Sequence, residues 1–278
     1  MMREGTARGA RILIFDSGLG GLTVLAAVAR ERPDVEAIYV ADDAFFPYGA
    51  LGEAQLVERV GAVMAGLIDR YALDLVVIAC NTASTLVLPP LRAAFPDLPF
   101  VGTVPAIKPA AEASRSRLVS VLATPGTVAR DYTRSLVRDF AGDCEVTLVG
   151  AARLAGLAER ALRGEEVEDA DVAREIAPCF IERDGRRTDQ VVLACTHFPL
   201  LIDRLRRLAP WPVEFVDPAP AIGRRVDALL GACGAPRDPR ALSAAIFTSG
   251  RPPSPALQKA LRRHGLAATS ADARAVAE

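Results

Sequence analysis

The feature that most constrains this chain is a series of short apolar runs that do not alternate with polar residues. A strand with one wet face alternates. A strand buried on both faces does not, and two-sided burial marks a parallel sheet covered by helices. Such runs predict strands over 11–15, 36–40, 75–79, 99–101, 118–123, 145–149, 190–193, 213–216 and 245–247. Helical patterns lie between them. The clearest spans 53–70, where Leu56, Val60, Val63 and Leu67 recur at steps of three and four and form one stripe. Others span 22–30, 128–140, 172–182, 200–208, 222–230 and 256–263. Alternating strands and helices over 278 residues predict an α/β chain, with about two domains at roughly 150 residues each.

Composition narrows the function. With 33 basic against 34 acidic residues and no basic stripe, nucleic acid is not the expected partner. No apolar run approaches the roughly 20 residues of a membrane span. The first residues carry arginines with no apolar stretch behind them, so no signal peptide is expected. Cysteines at 80, 144, 179, 195 and 233 are odd in number and widely spaced, which predicts reduced thiols in the cytoplasm. Lys108 and Lys259 are the only lysines, and His197 and His264 the only histidines. That leaves little room for a lysine Schiff base or a histidine-rich metal site, and neither a metal nor an organic cofactor is expected.

In parallel sheets, ligands bind beyond the carboxyl ends of the strands. Three strand ends stand out: Asp16-Ser17-Gly18-Leu19-Gly20-Gly21, Cys80-Asn81-Thr82-Ala83-Ser84 and Ala194-Cys195-Thr196-His197. The last two follow nearly identical strands, Val76-Val77-Ile78-Ala79 and Val191-Val192-Leu193-Ala194, at a constant offset of 115 residues. This reads as an internal repeat, against the alternative that such apolar strings recur by chance. The glycine loop has three readings. It is a dinucleotide fingerprint with Thr23 at the third glycine and Asp42 as the ribose-binding acid, an anion site of free N–H groups, or a tight turn. A thiol near a helix N-terminus is shifted toward thiolate. Two on similar halves would approach one ligand from opposite sides, one removing a proton and the other delivering one; the plain alternative is a pair of buried core cysteines. His197 would polarise Cys195 or serve only as a hydrogen-bonded residue. Asp16 would orient a group near Cys80 if their strands are neighbours. In Phe45-Phe46-Pro47-Tyr48-Gly49, Tyr48 offers a hydroxyl and Gly49 an N–H, unless the segment is merely an aromatic-anchored turn.

Taken together, Phe15-Asp-Ser-Gly-Leu-Gly-Gly-Leu-Thr-Val24, Pro47-Tyr-Gly49, Ala79-Cys-Asn-Thr-Ala-Ser84, Gly102-Thr-Val-Pro105, Ala123-Thr-Pro-Gly-Thr127 and Ala194-Cys-Thr-His197 form a pattern. By them the chain resembles the glutamate racemases of the cofactor-independent aspartate/glutamate racemase superfamily. The resemblance implies interconversion of L- and D-glutamate, supplying D-glutamate for peptidoglycan. It implies two catalytic cysteines, Cys80 acting on the D-enantiomer and Cys195 on the L-enantiomer. Asp16, Ser17, Tyr48, Gly49, Asn81, Thr82, Thr196 and His197 would bind the substrate, with Thr124 and Thr127 lining the site. It also implies two similar three-layer parallel-sheet domains related by pseudo-symmetry, residues 1–102 plus 212–278 and residues 103–211, with the active site between them. The expected partner is a small-molecule substrate, and the family often dimerises. One segment departs from the family's pattern. Gly150-Ala-Ala-Arg-Leu-Ala-Gly-Leu-Ala-Glu159 keeps only Arg153, Leu154, Leu157 and Glu159, and Glu159 is expected to carry the acidic role there. Two other readings compete: an aspartate or hydantoin racemase, and a non-catalytic two-domain module that closes on a small anion or nucleotide.

Overall fold

A computed structural model of the chain describes residues 9–232, 234, 237–238 and 243–269. Cys233 and the arginine-bearing stretch 1–8 lie outside the described residues. The strands are β1 (Arg11–Asp16), β2 (Glu36–Ala41), β3 (Leu75–Ile78), β4 (Phe100–Gly102), β5 (Leu118–Ala123), β6 (Glu145–Gly150), β7 (Glu182–Arg183), β8 (Arg186–Arg187), β9 (Gln190–Ala194), β10 (Glu214–Val216), β11 (Ser243–Phe247) and β12 (Leu266–Ala268). They form a six-stranded sheet in the order β12-β11-β2-β1-β3-β4 and a four-stranded sheet in the order β10-β9-β5-β6. Every pairing within these two sheets is parallel. β7 and β8 make a separate antiparallel hairpin.

The two sheets share one wiring. β2-β1-β3-β4 and β6-β5-β9-β10 both run second, first, third, fourth in chain order. β3 and β9, which carry the repeated apolar string, hold the same place in their sheets. β11 and β12 extend only the first sheet, beside β2.

Two-sided burial is visible residue by residue. In β1, Ile12 and Ile14 enter one core, while Leu13 and Phe15 enter the core on the other face. In β9, Val191 and Leu193 divide from Val192 and Ala194 in the same way. The helix Glu53–Arg70 buries Leu56, Val60, Val63, Met64 and Leu67. Glu53 in its first turn and Arg70 in its last complement the helix dipole.

The second sheet includes β10, which pairs with β9. Two expectations need correction. The helix expected over 128–140 is two helices, Pro125–Ala129 and Asp131–Phe140, parted by Arg130 in extended backbone. The helix expected over 172–182 runs from Asp169 to Ile176 and tightens to a 3-10 turn at Ala177–Cys179. There Pro178 has no N–H to continue an α-helical ladder. Among the described residues, no helix is long and apolar enough to cross a membrane.

Candidate active site

The carboxyl ends of the two sheets face each other, and the three strand ends singled out above meet there. Cys80 follows β3 as the N-cap of the helix Asn81–Ala94. Its thiol lies 3.8 Å from the Ser17 hydroxyl. β1 pairs directly with β3, so Asp16 does arrive beside Cys80. Asp16 is fully buried. Its Oδ2 accepts the Gly21 N–H at 2.7 Å, whereas its Oδ1 has no hydrogen-bond partner. Burial raises the Asp16 pKa above the usual carboxylate range. Burial, and then the charge of Asp16, push the Cys80 thiol well up.

The other thiol has different company. Cys195 follows β9, and its sulfur lies 3.8 Å from His197 Nδ1. His197 Nε2 lies 2.9 Å from Glu159 Oε1, on the helix Leu154–Leu162. Nε2 also lies 3.2 Å from the Gly20 nitrogen, and Nδ1 faces the sulfur. Glu159 Oε1 also accepts the Leu19 N–H at 2.6 Å, and Oε2 pairs with Arg163 at 3.2 Å. Burial alone would lower the His197 pKa, but its bonds to Cys195 and Glu159 and the charge of Asp16 outweigh burial and hold it well above the ordinary value. Burial alone would raise Glu159; His197, the Leu19 N–H and Arg163 hold it low instead. Both directions favour the charged forms, a carboxylate beside an imidazolium.

The glycine loop is the seam between the domains, not a nucleotide cradle. A Cβ on Gly18 would lie 2.3 Å from Glu159 Oε1, and one on Gly20 would lie 2.4 Å from His197 Nδ1. The loop does offer an N–H to a carboxylate, as the anion reading expects, but it is the Leu19 N–H alone and the carboxylate is the chain's own Glu159. Asp42 has no place for a ribose. It is fully buried and accepts hydrogen bonds from Tyr48, Arg59 and Thr248. The Tyr48 hydroxyl donates to Asp42 at 2.5 Å. Gly49 packs against Thr124, where an added Cβ would meet the threonine Cβ at 3.2 Å.

Hydroxyls line the remaining wall. Thr82 Oγ1 lies 3.1 Å from Thr124 Oγ1 and 3.0 Å from Thr127 Oγ1. Thr196 sits at the seam, its carbonyl accepting from Thr23 Oγ1 at 3.2 Å. Asn81 is buried with both amide heavy atoms unpartnered. Together with Asp16 Oδ1, that makes three orphaned polar atoms around the thiols. Buried polar atoms without partners are costly, and a polar ligand would satisfy them. A cleft of about 630 Å³, lined by Phe46, Pro47, Thr124, Arg153, Glu159 and Arg163 among others, opens beside this cluster.

Sequence reasoning gave no role to Phe46, whose ring lies 5.3 Å from the His197 ring. It placed Glu159 by resemblance only. No spacing in the sequence signals either contact, because the Phe46 ring reaches His197 across the domain seam and Glu159 reaches it over 38 residues.

The matching family model is that of the Asp/Glu/hydantoin racemases, aligned to residues 18–226. The glutamate racemase of Brucella canis is 54% identical over 255 residues, covering 92% of each chain. That of Sinorhizobium fredii is 54% identical over 260 residues, covering 94% of this chain and 97% of the relative. Among solved structures, Escherichia coli glutamate racemase in complex with L-glutamate and the activator UDP-MurNAc-Ala superposes with a TM-score of 0.85 at 40% identity, covering 94% of this chain and 97% of the other. Glutamate racemase from Aquifex pyrophilus superposes with a TM-score of 0.68 at 29% identity, covering 91% and 94%.

Proposed function

Since the chain belongs to the Asp/Glu/hydantoin racemase family, we propose that it interconverts L- and D-glutamate with two thiols, Cys80 and Cys195, as alternating base and acid. The observation that carries this reading is their placement. Each thiol ends an equivalent strand of a similarly wired sheet, and the two ends converge on one buried polar cluster. Glutamate rather than aspartate or a hydantoin is supported by the Brucella canis and Sinorhizobium fredii relatives, both named glutamate racemase at 54% identity.

The chemistry runs as follows. The thiolate on one face takes the substrate's Cα proton, and the C–H electron pair moves into the α-carboxylate. The thiol on the opposite face then gives its proton to Cα, and configuration inverts. The first sulfur ends as thiol and the second as thiolate, so the free enzyme must exchange protons with solvent before repeating the same direction. Charge grows on the α-carboxylate in the transition state, so donors fixed there lower the barrier most. Asn81 and the Thr82, Thr124 and Thr127 hydroxyls are the proposed donors, with Ser17, Gly49 and Thr196 completing the substrate's surroundings. His197, fixed by Glu159, sits 3.8 Å from the Cys195 sulfur, where it can exchange a hydrogen bond with it. That suits Cys195 to deprotonate L-glutamate, leaving Cys80 to act on D-glutamate. Tyr48 contributes by holding its turn, its hydroxyl donating to Asp42. The product D-glutamate would serve peptidoglycan synthesis in the cytoplasm.

The test is incubation of reduced protein with L-glutamate in D2O, following the α-proton signal and optical rotation together. Loss of both without added cofactor is the expected result. Folded protein that leaves glutamate untouched but racemises aspartate or a hydantoin would overturn the substrate assignment.

A further inference from the structure

The carboxylate of Asp42 sits at the end of β2, fully buried and outside the polar cluster around the thiols. Its two oxygens accept four hydrogen bonds: from the Tyr48 hydroxyl at 2.5 Å, from Arg59 Nε at 3.0 Å and Arg59 Nη2 at 2.6 Å, and from the Thr248 hydroxyl at 2.5 Å. Thr248 Oγ1 in turn accepts the Ala44 N–H at 3.3 Å. The neighbouring Asp43 takes the Ser249 N–H at 2.9 Å and its hydroxyl at 2.6 Å. Segment 42–50 is therefore stapled at its start to the end of β11 and near its finish, through Tyr48, back onto Asp42. Between the staples it reaches across to the other domain. There Phe46 lies against His197, and Gly49 lies against Thr124.

We propose that Asp42 is a positioning residue for the active site: by gathering Tyr48, Arg59 and Thr248 it holds segment 42–50 so that Phe46 covers His197 and Gly49 abuts Thr124. The proposal deepens the racemase reading and rests on it for its kinetic part. Its geometric part stands independently. Asp42 touches no reacting atom, and its effect reaches the site only through the strap it fixes.

With just two histidines in the chain, proton NMR offers a direct probe. The ring current of Phe46 displaces the His197 ring-proton signals, and His264 serves as internal reference. Asp42→Asn and Tyr48→Phe are each expected to move the His197 signals in the same sense as Phe46→Leu, leaving those of His264 in place. Phe46→Leu introduced into the Asp42→Asn protein should add little further movement. In racemisation assays, KM for both enantiomers should rise about tenfold or more in Asp42→Asn, with kcat changing less. Should Asp42→Asn fail to fold, Tyr48→Phe, which keeps its ring against Phe15, decides the question. His197 signals that stay put in these variants while Phe46→Leu moves them would overturn the geometric claim. Displaced signals with unchanged KM would overturn the positioning role. Wild-type protein inert toward glutamate would fail the racemase reading while leaving the NMR comparison fully informative.

Discussion

Replacing Gly20 with alanine tests the glycine loop as a domain seam. The backbone at Gly20 is not among the positive-φ positions, so alanine meets no conformational penalty there. All of its effect comes from the facing domain. The new Cβ would sit 2.4 Å from His197 Nδ1, 2.6 Å from the His197 backbone nitrogen and 2.7 Å from Thr196 Oγ1. Ordinary contact begins near 3.4 Å, so the turn bearing Cys195, Thr196 and His197 must retreat by about 1 Å. Overpacking of this size costs about 1–3 kcal/mol of stability. A misplacement of about 1 Å at reacting groups costs on the order of 100-fold in rate. Because the enantiomers are equal in free energy, kcat/KM must fall by the same factor in both directions. The control is Gly61→Ala, inside the helix Glu53–Arg70, where an added Cβ meets nothing within 4 Å. That change should stabilise by about 0.5–1 kcal/mol and leave rates alone. Chemical denaturation and racemisation of both enantiomers by circular dichroism read all these quantities. A folded Gly20→Ala protein with kcat/KM within about threefold of wild type would refute the reasoning.

Further expectations follow from the same geometry. Cys80→Ser and Cys195→Ser should each lower racemisation by at least about 100-fold; appreciable turnover by either in an optical-rotation assay would leave only one base. Glu159→Gln should lower the His197 pKa toward its ordinary value, read by NMR titration. The raised His197 pKa stabilises the fold below about pH 6.5 and loses that contribution as pH rises through its folded value. The lowered Glu159 pKa stabilises above about pH 4.5 and loses its contribution as pH falls through its folded value. The stability gap between wild type and Glu159→Gln should therefore be widest between those limits and shrink on either side. Asp16→Asn should have the opposite sign. A raised carboxyl pKa penalises the folded state once the group ionises, so the variant should gain roughly 1 kcal/mol at about pH 8 while losing activity. A destabilised Asp16→Asn protein at that pH would count against the buried-carboxylate reading.

Much of this architecture was legible in the chain because its signals are local. Ile12-Leu13-Ile14-Phe15 reads as a strand buried on both faces, and its residues do divide between two cores. The helix over 53–70 appears with the expected limits because its stripe, first-turn acid and last-turn base agree. The helix Asn81–Ala94 does not announce itself, because Pro89 and Pro90 lie inside it and each removes a backbone donor. The short helix Ile107–Ala113 and the edge strand β12 have too few residues for a period to emerge. At the site, the thiols and their flanking hydroxyls were visible as motifs. The Glu159–His197 pair, the Phe46 cover and the turning of Tyr48 toward Asp42 were not. These contacts span 38 residues in one case, cross between domains in another, and depend in the third on a threonine 206 residues from its aspartate.

That last span bears on the order in which the molecule is made. β2 is flanked by β1 on one side and by β11 on the other, and β11 is synthesised only after the whole second domain. Until it emerges, β2 presents an open row of backbone groups, an invitation to pair with another nascent chain. Thr248 arrives at the same late moment, so Asp42 also waits for one of its staples. Closing the vulnerable edge and tightening the strap over His197 are thus a single event that waits for residues 243–248. A ribosome product cut short before Ser243 would be left both adhesive and unable to complete its active site.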